Sequence, residues 1–80
     1  MYTIEISWGE KRECVFNPIQ EETIWGVISR LQTLWNANTS TLNFSAKITE
    51  NGNIIYDDRI NQYVIDGFRY HAMKEVMNIA

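Results

Sequence analysis

Residues 42–56 read LNFSAKITENGNIIY, and this stretch decides the fold class. Leu42, Phe44, Ala46 and Ile48 alternate with Asn43, Ser45, Lys47 and Thr49, the period of a strand with one apolar face. Asn51-Gly52 follows, the dipeptide that best tolerates the positive φ angles of a tight hairpin turn, and the chain returns from Asn53 to about Tyr56. Whether Ile55, or Ile54 with Tyr56, faces inward hangs on the loop length, because a slip of one residue turns every side chain over.

The same period opens the chain. Tyr2, Ile4, Ile6 and Trp8 alternate with Thr3, Glu5 and Ser7, a turn follows at Gly9-Glu10, and Arg12 to Phe16 returns as a second strand. A two-residue loop would set Ile6 opposite Glu13. A loop of Gly9 to Lys11 sets Ile4 against Phe16 and Ile6 against Cys14, which keeps charge off the apolar face and puts Arg12 beside Trp8 for a cation–π contact.

Each hairpin runs into helical signals. Asn17-Pro18-Ile19-Gln20 combines an N-cap residue, a proline at the first helical position and a glutamine three residues after the cap. Ile24, Val27, Ile28, Leu31, Leu34 and Trp35 then form one stripe of an amphipathic helix ending near Asn36, and the polar residues 38–41 link it to the second hairpin. Asp57 or Asp58 is the expected cap of a second helix running nearly to the C-terminus. The order is ββαββα, which predicts one α+β domain over residues 1–80: a four-stranded antiparallel sheet with two helices packed on one face. Asn17 and Asp58 occupy matching cap positions with Gly26 and Gly67 nine residues beyond, the mark an ancient duplication would leave.

A chain of 80 residues, 45% hydrophobic and 21% charged, buries only about 60% of its unfolded surface and has no room for a deep cavity. Its formal charge of −3 and its scattered Lys and Arg argue against a direct grip on nucleic acid. Cys14 is the single cysteine, so no internal disulfide forms; with no apolar run of membrane-spanning length, the expected location is cytoplasmic, without membrane contact. The sequons at Asn38 and Asn43 are then accidental.

No motif commits the chain to a chemistry, and neither enzymatic activity, nor a metal, nor a cofactor is expected. Cys14 reads as a small buried strand residue, lacking the base an activated thiolate needs. His71 and Glu75 are spaced as two metal ligands on a helix, but a zinc site takes three or four, so they read as a surface pair. The acidic pairs Glu21-Glu22 and Asp57-Asp58 invite an acid/base role, yet both lie at expected helix starts, where the macrodipole favours negative charge. Trp8, Phe16, Phe44 and Tyr56 would serve an RNA-stacking sheet only on an exposed basic face, and three of them fall on the expected core face.

The second helix, YVIDGFRYHAMKEVM from Tyr63 to Met77, has two apolar sides. At about 100° per residue, Ile65, Phe68, Ala72, Val76 and Ile79 gather on one side, which would meet the sheet. Tyr63, Tyr70 and Met77 fall nearly opposite at heptad spacing, with Gly67 and Met73 beside them. Either the first helix covers part of this stripe, Met73 foremost, or the stripe is a binding surface, for which Tyr supplies contact area at low entropic cost and Met adaptability. The residues expected to meet a partner protein, or a second copy as a homodimer, are Tyr63, Gly67, Tyr70, Met73, Met77, Glu21, Glu22, Asp57 and Asp58.

With one cysteine, no catalytic motif and a surface mixture of Glu21, Glu22, Asp57, Asp58, Tyr63 and Tyr70, the chain resembles in general character the compact acidic inhibitors that phages and mobile elements encode, anti-CRISPR proteins among them. No motif is shared, and no site residue follows from it. The resemblance implies stoichiometric blocking of a host nucleic-acid-binding complex, acidic groups meeting the target's Lys and Arg. A small nucleic-acid-binding regulator using its sheet is the alternative from another class.

Overall fold

Strand β1 (Tyr2–Trp8) carries the sheet, because it pairs on one edge with two strands in succession and on the other with a third. The computed structural model describes residues 1–37 and 44–77; the expected linker at 38–41, the first strand residues 42 and 43, and Ile79 lie outside them. Along one edge of β1 run β2 (Cys14–Val15) and β3 (Ile19–Glu21), along the other β4 (Phe44–Glu50), and β5 (Asn53–Arg59) is outermost. Helices α1 (Ile24–Ala37) and α2 (Gln62–Met77) follow the two hairpins. The α+β class and antiparallel sheet are as expected, with five strands in place of four.

The extra strand arises where the first helix was expected to start. Ile4, Thr3 and Tyr2 lie opposite Ile19, Gln20 and Glu21, so residues after Pro18 extend the ladder instead of opening a helix. Between this ladder and the Ser7–Val15 pair the register steps by one residue at Asn17-Pro18, where the proline has no N–H to give. Pairing on β1 outweighs the local cap signal, and Thr23 supplies another: its Oγ1 accepts from the Gly26 N–H at 3.1 Å. Strand β5 likewise runs through Asp57 and Asp58, leaving Asn61 to cap α2 by accepting the Val64 N–H at 2.9 Å. With Thr23 and Asn61 as caps, the matched spacings that hinted at a duplication dissolve. Neither helix has an acidic residue in its first turn, so the macrodipole account of the acidic pairs fails.

Trp8 faces Cys14 across a loop of Gly9 to Glu13, not the tighter loop that would set Ile6 against Cys14. Cys14 is therefore at the far end of the lane and exposed, contrary to the expected burial. Arg12, at φ 57, lies in the loop and not opposite Trp8, which Cys14 faces. Its Nε donates to Ser7 Oγ at 3.1 Å and its guanidinium pairs with Asp57 at 2.6 Å, strapping β5 to β1 across the open sheet face. The second hairpin turns at Asn51-Gly52, both at positive φ, as its sequence requires. A bulge between Ile48 and Thr49 in the pairing leaves Ile55 without a partner of its own; Tyr56 faces inward opposite Ile48, and Ile54 and Ile55 are exposed.

The core lies between the sheet and both helices. Ile4, Ile6, Phe44, Ala46 and Ile48 meet Val27, Ile28 and Leu31 of α1 and Ile65 and Ala72 of α2. Phe44 is fully buried and its ring packs against Trp8 at 5.3 Å between centroids, tilted by 44°. Phe44→Ala should cost about 3–5 kcal/mol by removing contacts and leaving a cavity, read as a lowered denaturant midpoint.

Tyr2 ties the chain start to the second hairpin, its hydroxyl donating to Glu50 Oε2 at 2.7 Å. That bond first, then burial and the charges of Glu50 and Glu75, push the phenol from 10.0 up to about 12. The neutral phenol is the form held, so its stabilisation is present in full below about pH 10 and lost as pH rises toward about 12. The gap in denaturant midpoint between wild type and Tyr2→Phe should be constant below the lower value and close above it.

Candidate protein-binding face

Helix α2 is held on two sides and open on a third. Ile65 and Ala72 are buried, Phe68 sets its ring edge-on to Tyr56 at 5.7 Å, and Val64 packs partly against the core. The adjoining flank meets α1 through polar groups: the Gln32 and Gln62 amides exchange hydrogen bonds at 2.9 Å, and Arg69 donates to Gln32 Oε1 at 3.3 Å. Gln62 and Arg69 lie roughly 90° around the helix from Tyr70. Helix α1 therefore contacts α2 beside the second stripe and leaves it uncovered.

The stripe faces outward. Tyr63 is 88% exposed, Tyr70 64%, Met77 74% and Met73 51%, so α1 does not take up Met73. Val76, expected toward the sheet, is exposed as well. Tyr70, Met73, Lys74 and Met77 line a shallow groove of about 340 Å³. Lys74 was not among the residues expected here; its place four residues beyond Tyr70 was the signal. Gly67 adjoins the stripe, and a Cβ built on it meets nothing within 4 Å.

The acidic candidates do not join this face. Glu21, in β3, pairs with Arg30 of α1 at 2.8 Å and fills the space above Gly26, a tie between edge strand and helix. Glu22 is exposed beside it. Asp57 is held by Arg12 on the open sheet face, while Asp58, next along β5, points to the other side and accepts from the Arg59 N–H at 2.7 Å. The two pairs thus sit on opposite edges of the sheet.

His71 and Glu75 border a cleft of about 170 Å³ with Tyr2 and Glu50. Among the described residues no group of three or more His, Cys, Asp and Glu side chains is placed to hold a metal ion. Trp8, Phe44 and Tyr56 lie on the helix side of the sheet, and Phe16 is exposed at its edge against Trp8. The open face carries Thr3, Glu5 and Ser7 opposite Thr49, Lys47 and Ser45, without an aromatic platform among these positions. No described helix is long and apolar enough to cross a membrane. No family model, curated protein or solved structure matches the chain.

Because Gly67 is helical and unobstructed, Gly67→Ala should raise stability by about 1 kcal/mol, measured from the denaturant midpoint. A glycine kept for close approach of a partner would show itself by weaker association in the same, more stable variant.

Proposed function

We propose that this protein is a small non-enzymatic binding module that acts by occupying the surface of another protein, with the outward face of α2 as its contact surface. The observation that carries this reading is the exposure of Tyr63, Tyr70, Met73 and Met77 on one side of one helix, where no element among the described residues covers them. Leaving so much apolar surface in water is unfavourable for a small soluble domain, and such patches mark interaction sites. Tyrosine and methionine are the residue types that interface cores favour.

Within this reading the protein is an inhibitor of the stoichiometric kind, the class the chain resembles in general character, blocking a nucleic-acid-binding complex of the host. Glu22 and Asp58, exposed at the sheet edges, add the acidic groups that meet a target's basic residues, while Glu21 and Asp57 are engaged by Arg30 and Arg12. Direct nucleic-acid binding is the weaker reading, because the open sheet face offers polar side chains and Lys47 stands between Glu5 and Asp57.

Tyr70→Asp tests the module. It should leave the denaturant midpoint within about 0.5 kcal/mol of wild type, as for an ordinary surface change, while a co-purifying protein partner is lost or weakened by more than about 2 kcal/mol. A large fall in stability would make Tyr70 a core residue. Undiminished partner capture by a stable variant would remove α2 from the contact.

A further inference from the structure

The outward face of α2 is arranged symmetrically about Tyr70. Tyr63 and Met77 lie seven residues to either side of it, Asp66 and Lys74 four, and Gly67 and Met73 three. On a helix rising about 1.5 Å per residue, each pair is equally far from the centre. If a second α2 lies antiparallel across the first, each of these residues meets the other member of its pair.

The pairs are complementary in shape and in charge. Tyr63, the most exposed of the stripe at 88%, projects on one side of the centre, and the groove lined by Tyr70, Met73, Lys74 and Met77 opens on the other. A two-fold rotation seats each Tyr63 in the other copy's groove and sets the open space at Gly67 against Met73 and Lys74. Asp66 and Lys74 flank the stripe at about 40° on either side of Tyr70, near enough for the lysine of one copy to reach the aspartate of the other at an ordinary interaxial distance of about 8–10 Å. Asp66, more than half exposed, is engaged within its own chain by Gln62 and Arg69 at 2.9 and 3.0 Å and keeps one carboxylate oxygen for this contact.

We propose that the outward face of α2 docks on the same face of a second copy, antiparallel, with Tyr70 on the two-fold axis. The proposal rests on the reading of α2 as a contact surface and names what covers it in the free protein, a second copy that a target protein would have to displace. The four side chains offer at most about 600 Å² per copy, so the pair would bury up to about 1,200 Å², the low end of specific interfaces, as for a dimer in reversible exchange with its monomer. Glu22 and Asp58, at the edges of the sheet, stay free, and the dimer would present two sets of them.

Sedimentation equilibrium of the purified full chain, from low to high micromolar concentration, tests it. The expected result is a monomer–dimer equilibrium weakened more than about 30-fold by Tyr70→Asp at unchanged denaturant midpoint. Lys74→Asp alone should weaken it about fivefold, and the swap of Asp66→Lys with Lys74→Asp should recover most of that loss. In a Cys14→Ser background, Tyr70→Cys should oxidise to a disulfide-linked dimer, since a residue on the axis meets itself. A chain that stays monomeric throughout, while Tyr70→Asp still abolishes capture of a different protein, overturns self-pairing and leaves the binding-module reading intact. A dimer indifferent to Tyr70→Asp, or one that Tyr70→Cys fails to link, places the interface elsewhere and overturns the proposal.

Discussion

The pairing of β1 along both edges is the constraint from which the rest of the architecture follows. Ile4 and Ile6 are buried because β3, β2 and β4 flank them and both helices lie over them, and among the described residues no other strand has partners from both hairpins and from the segment leading into α1. A chain this short has one core, and a central strand with alternating isoleucines supplies its floor. The demand to complete that strand's free edge recruits residues 19–21 from what would locally be a helix.

That recruitment moves everything after it. Once Glu21 is in the sheet it lies beneath α1, where Arg30 reaches it and Gly26 leaves room for it, so an acidic residue that looks like a helix-start charge is a tie between layers. At the opposite edge the same logic holds Asp57, through an arginine that crosses the sheet from the β1–β2 loop and covers Ser7. Two of the four acidic candidates are thus engaged in structural ion pairs. The exposure of Glu22 and Asp58 gives the proposed target contact its acidic groups, and the α2 stripe gives the contact surface its apolar area.

Helix α2 shows how a small sandwich ends up with an unused apolar face. Two helices on one side of a sheet share their inner sides with the sheet and a single flank with each other, and here that flank is a pair of glutamine amides and an arginine. That polar contact lies beside the stripe and leaves the tyrosines in water. The proposed pairing about Tyr70 would bury that unsatisfied surface against a second copy of itself.

The fold class was legible in residues 2–8 and 44–56, because alternation and an Asn-Gly turn are local signals and the structure has no competing use for those segments. The apolar faces of both helices were equally readable from spacing, Ile24 to Trp35 in one and Ile65 to Ala72 in the other. Helix starts were not: Asn17-Pro18 and Asp57-Asp58 are good caps in isolation, and only the free edges of β1 and β4 decide that residues 19–21 and 53–59 are strands. The burial of Cys14 turned on a hairpin register that periodicity leaves open by two residues, since a shift of two keeps every side chain on its face. The second stripe of α2 could be seen in the sequence, but its exposure could not, because exposure depends on which flank α1 touches. That is settled by the packing of Gln32 on Gln62 and Arg69, a contact between residues far apart in the chain.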